Sequence, residues 1–460
     1  MEFGSFPKAL AYNIKQLSGF SKVPVRLQID RTSDVKPNDT IKVALPQNTL
    51  VDLRTLCMYY EGIGDTNCHF PRLTGSMIKT LSVYINGNLV ERIDNYSILF
   101  NKLYDLDGGG VDQTAKRHLE NTDPSVYYET STGSSSLATG VFKITANNDA
   151  VKRKYAITSW LGLISSISTP IIDTNDLNKV ELELTMESAN VMWQKMTNVR
   201  VTAPGYTLSD VHFYINKVIF SDPMYYNLKA AKLLSSGLTL AYQTYISSKG
   251  ALAAKSSSFN TYTSFNTTSL DQLIGCLTPE EQSTSNLLLN GNWRNNSTAS
   301  AIPFQNVLSL ATYSAETGVD YQGDFYNQSR FFRSDACGLT SSSWEINNTP
   351  IIPIPLADYE IYNETLIALG HNHLDMGIGV HNGLQSLAHF LKYYFTHICS
   401  LEMINGGDFY KSGLDGKSSA LNVVWKLNFG ANTDKVTPYI FAKTTRILQI
   451  NEGHAVSVIV

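Results

Sequence analysis

Residues 83–103 read VYINGNLVERIDNYSILFNKL, and residues 344–366 read WEINNTPIIPIPLADYEIYNETL. Both stretches run as a strand, a tight turn, a second strand and a short amphipathic helix. The two turns align residue by residue and use residue types that tolerate positive φ: Ile85, Asn86 and Gly87 in the first stretch, and Ile346, Asn347 and Asn348 in the second. With two residues of slack, Tyr96 aligns with Tyr359, and each is predicted to open a helix. We interpret the likeness as an internal duplication.

A strand that comes later in each half supports the duplication. The sequence LNKVELELTM at 177–186 has its counterpart in NVVWKLNF at 422–429. In both halves the predicted order is therefore strand, turn, strand, helix, long loop, strand, strand. A shared order of elements is stronger evidence of duplication than a single shared turn.

Alternation of apolar and polar residues, the pattern of a strand with one buried face, is the dominant signal along the chain. It recurs at Val23-Val25-Leu27-Ile29, Ile41-Val43-Leu45, Val211-Phe213-Ile215, Leu240-Tyr242-Thr244-Ile246 and Val456-Val458-Val460. Many short strands separated by glycine, proline and asparagine clusters predict an all-β protein built from sandwiches or jelly rolls.

Length and composition agree with two β domains. A compact all-β unit rarely exceeds about 250 residues, so 460 residues predict two of them. Only 17% of the residues are charged, which suits strands and uncharged loops better than helices. The net charge of −4 and the pI near 6.1 argue against a sequence-specific nucleic-acid partner, because such proteins carry a basic excess or a basic stripe.

The sequence predicts four segments: an N-terminal arm, a first β domain, a connecting helix and a second β domain, at 1–22, 23–222, 223–236 and 237–460. The helix prediction rests on Asp222 as the N-cap, Pro223 in the first turn and Gly237 as the stop.

Two stretches rich in Gly, Ser, Thr and Asn are predicted to be long loops, at 105–148 and 247–340. Loops of this length are uncommon unless they are functional or disordered. Because both stretches fall within the duplicated domains, we expect them to form surface towers rather than linkers.

With these features the chain resembles the double jelly-roll major capsid proteins of the adenovirus and tailless-phage lineage, and among them most of all those of polinton-like viruses and virophages. The resemblance rests on the order and spacing of five stretches: INGNLVERIDNY at 85–96, SWLGLISSISTPIIDTNDLNKVELELTM at 159–186, YTLSDVHFYINKVIF at 206–220, SWEINNTPIIPIPLADYEIYNETLIALG at 343–370 and TTRILQINEG at 444–453.

The resemblance implies two tandem eight-stranded antiparallel jelly rolls with short connecting helices and long tower loops. It further implies a homotrimer that forms a pseudo-hexagonal capsomer in the icosahedral shell of a double-stranded DNA virus. Neighbouring capsomers, penton and minor capsid proteins would be its partners, with an internal membrane as an open alternative. Such a protein is made and assembled inside the host cell and resides in the virion.

The N-terminal arm has two interpretations. Phe6, Leu10, Ile14 and Leu17 recur at helical spacing, with lysines interspersed. They predict either a short helix packed on the first jelly roll or, as the resemblance favours, an arm that contacts neighbours, a minor protein or a membrane.

No residue pattern in the sequence indicates catalysis or a cofactor. The best metal-site candidate is a group of histidines within 27 residues, but it lacks an HExxH motif and falls partly on a predicted helix at 383–398: His371, His373, His381, His389 and His397. The stretch 413–418 lacks the first glycine of a phosphate loop. We therefore predict a structural protein rather than an enzyme. The alternative function is a carbohydrate- or receptor-binding β-sandwich protein, with loop aromatics such as Trp293 in the binding site.

Overall fold

The fold is seen in a computed structural model of the chain. It describes residues 20–64, 68–71, 73–106, 128–130, 142–144, 153–194, 205–220, 237–251, 257–279, 334, 336–370, 387, 390–391, 394–402, 413–416, 420–430, 436–451 and 455–459.

Thirteen described strands belong to the first half of the chain. They are β1 Phe20–Gln28, β2 Thr40–Ala44, β3 Leu50–Gly64, β4 Cys68–His69, β5 Ile78–Ile85, β6 Asn88–Ile93, β7 Tyr128–Thr130, β8 Phe142–Ile144, β9 Arg153–Ile157, β10 Ile171–Asp173, β11 Val180–Met186, β12 Trp193–Gln194 and β13 Tyr206–Phe220. One main sheet has the order β1-β13-β3-β10, with β9 also paired to β3, and the other has the order β2-β11-β5-β6.

Nine described strands belong to the second half. They are β14 Leu238–Lys249, β15 Ser258–Phe265, β16 Leu270–Pro279, β17 Leu339–Ile346, β18 Thr349–Pro350, β19 Thr396–Ser400, β20 Leu421–Phe429, β21 Val436–Asn451 and β22 Ala455–Ile459. The main sheets have the orders β14-β21-β16-β19, with β22 paired to β21, and β15-β20-β17-β18.

The two halves have the same topology. When the main-sheet strands of each half are counted in chain order, taking β9 and β10 together, both halves give sheets of order 1-8-3-6 and 2-7-4-5. The pairings within these sheets are antiparallel. Two facing four-stranded sheets with this crossed order form a jelly roll. The prediction of two tandem jelly rolls is therefore confirmed.

The described helices are short and lie between strands. They are α1 Tyr96–Leu106, α2 Leu163–Ser166, α3 Thr174–Leu177 and α4 Asp358–Ala368, together with 3-10 turns at Thr74–Met77 and Ala189–Val191. The segment 221–236, which includes the predicted connecting helix, lies outside the described residues. The described main-sheet strands of the two halves fall on either side of it.

Side-chain alternation fills the space between the sheets of each jelly roll. In β11 the apolar residues Val180, Leu182, Leu184 and Met186 are buried, while Glu181 and Glu183 alternate with them on the other face. In β1 the predicted alternation holds for Val25 and Leu27, which are half-buried between exposed residues, and fails at Val23. This edge strand pairs with β13 on one side only, and Val23, expected to be buried, is 41% exposed.

The loop prediction for 247–340 is also wrong in part. Two full strands, β15 and β16, lie in this stretch. The sequence of β15, SFNTYTSF, is polar, but its threonines and aromatics favour extended backbone. In 105–148 the described residues include a short antiparallel pair, β7 with β8. The remainder of both stretches is largely outside the described residues.

Candidate functional surface: the repeated turns and the seam between the jelly rolls

The repeated turns have the same backbone geometry. Each joins two strands through two residues with positive φ, as in a type I′ hairpin turn: 52° at Asn86 and 79° at Gly87, and 50° at Asn347 and 65° at Asn348. In both halves the first turn residue donates its backbone N–H across the sheet, from Asn86 to the Lys179 carbonyl at 2.7 Å and from Asn347 to the Asn422 carbonyl at 2.9 Å. Ile85 and Ile346 are buried immediately before the turns.

The helices that follow these turns have equal lengths but different surroundings. The helices α1 and α4 both span eleven residues. Tyr96 is fully buried, and its hydroxyl accepts a hydrogen bond from the Leu161 N–H at 3.1 Å. Tyr359, its aligned counterpart, is 60% exposed. The aligned tyrosines therefore occupy different environments: Tyr96 stacks on Phe100 within the first jelly roll, whereas nothing described covers Tyr359.

The seam between the jelly rolls closes the open edge of β14. The Ser168 N–H donates to the Ala241 carbonyl at 2.8 Å, and the Ser166 hydroxyl donates to the Gln243 carbonyl at 2.9 Å. The Gln243 N–H donates in turn to the Ser166 hydroxyl oxygen at 2.8 Å. An edge strand presents a row of backbone groups that must find partners, and here the first jelly roll supplies them.

Side chains extend the seam to β6 and to the start of α1. The Tyr242 hydroxyl donates to the Val90 carbonyl at 3.1 Å, and the Asn95 amide donates to the Ser247 hydroxyl at 3.2 Å. The seam is therefore a set of specific hydrogen bonds around one edge, which fixes how β14 docks.

Glu91 is a carboxylate buried at this seam, at 1% exposure. Both of its carboxylate oxygens lie 3.0 Å from the Leu163 backbone nitrogen, whose N–H donates to them. Burial raises the pKa of Glu91 to about 7, while Thr244, the Leu163 N–H and the charge of Arg446 oppose the rise. Thr244 and Arg446 belong to the second jelly roll, so the carboxylate couples the two halves electrostatically.

Gly162 makes room for this carboxylate. Its φ is 77°, and a Cβ at this position would lie 2.4 Å from the Glu91 Oε1 atom. Glu91 was not identified from the sequence, although it lies two residues from Ile93 in β6 and shares the buried face of that residue. A carboxylate at an apolar position of a strand is the signal that could have identified it.

Of the five histidines that the sequence groups, His397 is the one that lies among the described residues. His371, His373, His381 and His389 lie outside the described residues. His397 is on β19, so the predicted helix at 383–398 is wrong at its end, where a strand begins at Thr396. The described part of the chain contains no group of three or more residues able to hold a metal.

His397 belongs to the core of the second jelly roll. It is 1% exposed, and its Nδ1 lies 2.8 Å from the Ser342 hydroxyl, which also accepts a hydrogen bond from the Trp425 indole at 2.8 Å. Burial lowers the pKa of His397 to about 3. The Ser–His contact is sealed from solvent, so it serves packing rather than reaction with a substrate.

Local structure explains the carboxylates of β11, the stretch at 413–416 and the described cysteines. Glu181 and Glu183 form surface ion pairs with Lys179 and Lys42, at 2.7 and 2.8 Å. In the stretch at 413–416, Leu414 exchanges backbone hydrogen bonds with Leu270 at 2.9 Å, as a strand does. The described cysteines Cys57, Cys276, Cys337 and Cys399 are thiols.

The predicted N-terminal arm residues Phe6, Leu10, Ile14 and Leu17 lie outside the described residues, as does Trp293. Among the helices that the structure describes, none is long and apolar enough to span a membrane.

Three solved structures share this architecture over nearly the whole chain. The PBCV-1 virus capsid matches with a TM-score of 0.58 and 11% identity, covering 95% of this chain and 96% of that chain. A chain of the Sputnik virophage structure matches with 0.56 and 11%, covering 96% and 88%. The Faustovirus major capsid protein matches with 0.55 and 8%, covering 94% and 91%.

No protein-family model matches the sequence, and no curated protein matches it. At this low identity the structural likeness establishes the fold, which is the double jelly roll predicted from the sequence.

Proposed function

We propose that the chain is a major capsid protein, the structural subunit of homotrimeric, pseudo-hexagonal capsomers in the icosahedral shell of a double-stranded DNA virus. The observation that carries the proposal is the presence of two jelly rolls of identical strand order in one chain. The likeness to capsid structures over 94% of the chain or more supports it.

The duplication has a geometric use in a shell. Each chain supplies two similar lobes, so three chains around one axis supply six, and a six-lobed tile can cover a flat lattice. When an interface joins two different surfaces of two copies, the copies form a closed ring if the rotation between neighbouring copies divides a full turn evenly. A chain built from two similar lobes with one seam between them is suited to such a ring.

The partners follow from this role. Neighbouring capsomers would contact the tile at its sides, and penton and minor capsid proteins would contact it elsewhere in the virion. The arm at 1–22 would reach neighbours, a minor protein or an internal membrane. Sequence-specific nucleic-acid binding is not part of the proposal, since the net charge is −4.

The role requires no catalysis. The polar clusters that the structure describes serve as buried hydrogen-bonded contacts or as surface ion pairs. Glu91 and His397 are both buried and are held by neighbouring backbone or side-chain groups.

The test is the state of the purified full chain. Light scattering coupled to size exclusion should give three times the 51.0 kDa of the chain. Negative-stain images should show six-lobed particles, and at raised concentration or salt these should form lattices or shells. A stable monomer that binds glycans and does not assemble would overturn the proposal in favour of a carbohydrate-binding protein.

A further inference from the structure

The face of β14 and β21 that meets the first jelly roll carries a group of polar side chains. Thr244 lies directly opposite Thr444 in the antiparallel pair, and Tyr242 lies opposite Arg446, two residues further along. Because side chains alternate between the faces of a strand, these four residues lie on one face of the sheet. Glu91 of the first jelly roll approaches this face, since Thr244 and Arg446 both act on its pKa. We call these five residues the seam cluster.

Three donors of the seam cluster have no acceptor among the residues that the structure describes. The hydroxyls of Thr244 and Thr444 and the Nε–H group of Arg446 are buried there without a hydrogen bond. The two threonines are 1% and 0% exposed. The Thr244 hydroxyl is close enough to lower the pKa of Glu91, but its geometry does not make a hydrogen bond. Since burying even one donor without an acceptor is costly, three together indicate a ligand that accepts from them.

A second pair of threonines shows that the arrangement is not the ordinary one. Thr40 and Thr185 are also directly opposite each other, in β2 and β11, and their hydroxyls are hydrogen-bonded at 3.1 Å. Facing threonines on neighbouring strands form this bond readily. Thr244 and Thr444 do not form it, so both hydroxyls are available to a third group.

The charge of the seam cluster indicates the class of ligand. The guanidinium of Arg446 is always cationic. Burial raises the pKa of Glu91 to about 7, so below that pH the cluster holds no ionised carboxylate to balance this charge. Two further titratable groups of the described residues interact with Glu91, Tyr96 of α1 and Tyr242 of β14, and burial raises the pKa of both phenols, which stay neutral. One small anion would balance Arg446 and accept from all three donors.

We propose that the seam cluster binds a small monovalent anion such as chloride, held by the hydroxyls of Thr244 and Thr444 and the Nε–H group of Arg446. The anion and the ionised carboxylate of Glu91 are alternatives, because each supplies the one negative charge that balances Arg446. Binding of the anion is therefore coupled to protonation of Glu91. The inference goes beyond the proposed function and does not depend on it, since it concerns how the two jelly rolls of one chain hold together.

The stability of the full chain in chloride tests the site. Urea unfolding is measured at pH 6 in mixtures of sodium chloride and sodium gluconate of constant ionic strength, because gluconate is too large for the site. Above the dissociation constant, each tenfold increase in chloride should raise the equilibrium constant for folding about tenfold. Equal stability in the two salts at pH 6 would overturn the proposal.

The pH dependence tests the coupling. Glu91 ionises with a pKa of about 7, so the apparent dissociation constant for chloride should rise about tenfold between pH 6 and pH 8. Glu91→Gln cannot ionise, and its chloride dependence at pH 8 should equal that at pH 6. A Glu91→Gln chain whose chloride dependence still weakens at pH 8 would show that the coupling to this carboxylate is wrong.

Threonine variants separate the site from general effects of salt. Thr244→Val and Thr444→Val keep the shape of the side chain and remove one donor, so each should lose most of the chloride dependence. If the hydroxyls hold no ligand, both variants should instead be at least as stable as the parent chain in either salt, which would contradict the proposal. Thr261→Val is the matched control, because Thr261 is a buried threonine on β15, in the other sheet of the second jelly roll. It should keep the full chloride dependence, and an equal loss there would overturn the assignment.

Bromide locates the ion directly, because it resembles chloride in charge and size and scatters anomalously. Crystals of the full chain grown in sodium bromide should give an anomalous peak between Thr244, Thr444 and Arg446. No peak at this place would overturn the proposal. A peak without any chloride dependence in solution would show binding at crystal concentration only and would overturn it as well.

Discussion

Replacing Glu91 by glutamine should make the stability of the protein less dependent on pH. The carboxylate is buried at the seam and has a pKa of about 7, against 4.5 for an unperturbed glutamate. The folded state therefore holds this proton more tightly than the unfolded state. The resulting stabilisation is fully present below pH 4.5 and is lost as the pH rises through 7.

The magnitude follows from the difference in pKa. A difference of about 2.5 units, at about 1.36 kcal/mol per unit, corresponds to roughly 3 kcal/mol between the two pH limits. Glutamine keeps the shape and an acceptor for the Leu163 N–H but carries no charge, so Glu91→Gln should not show this loss. Relative to the parent chain, the variant should gain about 3 kcal/mol of unfolding free energy between pH 4.5 and pH 8.

Urea unfolding of both proteins across that pH range measures the effect. The quantity to compare is the difference in unfolding free energy between the variant and the parent chain at each pH, because the other titrating groups contribute equally to both proteins and cancel. Glu345→Gln serves as the control, because it removes a carboxylate that pairs with Lys426 within the second jelly roll rather than one at the seam. Parallel curves for Glu91→Gln and the parent chain would refute the assignment of a buried, proton-binding carboxylate at the seam.

Three further predictions concern the jelly-roll cores and the repeated turn. Burial lowers the pKa of His397 from 6.5 to about 3, so the stability that the neutral imidazole contributes is present above pH 6.5 and is lost as the pH falls. At pH 5 the parent chain should have lost about 2 kcal/mol of unfolding free energy from this source. An equal loss of unfolding free energy in a His397→Gln chain would contradict the prediction. Gly275→Ala should lower the unfolding free energy by about 1–3 kcal/mol through overpacking, since a Cβ would lie 2.7 Å from Trp425. The control is Gly430→Ala, where the atom nearest to an added Cβ is 3.7 Å away. Equal losses of unfolding free energy in the two variants would rule out the packing argument. Asn348→Val should lower the unfolding free energy by about 1–2 kcal/mol, because φ at this residue is positive, whereas Asn348→Gly should be tolerated. Thermal unfolding compares the two variants, and similar melting temperatures would count against the turn geometry.

The sequence and the structure agree where the governing physics is local. Hairpin turns with positive φ need particular residue types, so the pairs Asn86-Gly87 and Asn347-Asn348 could be identified without coordinates. The alternation in β11 follows in the same way from the two-residue period of a strand. The structural likeness to capsid structures confirms the double jelly roll that was inferred from this repeated pattern.

The errors arose where a partner element decides the environment. Val23 looked buried, but β1 is an edge strand, and no local pattern reveals whether a strand has one neighbour or two. The strand β15 lies within the stretch predicted to be a loop. The start of β19 was assigned to a helix from a short apolar segment, for which helix and strand patterns are easily confused.

The sequence by itself determined the repeated turns and strands with clear alternation such as β11, because backbone preference and side-chain period act between residues close in the chain. Only the tertiary structure decided which residues of the repeated turn and helix are buried and which are exposed. Glu91 is buried where Thr244 and Arg446 of the second jelly roll approach it, and Tyr96 is buried whereas Tyr359 at the aligned position is exposed. Burial, and with it the raised pKa of Glu91, depends on contacts between residues more than 150 positions apart, which no local pattern in the sequence encodes.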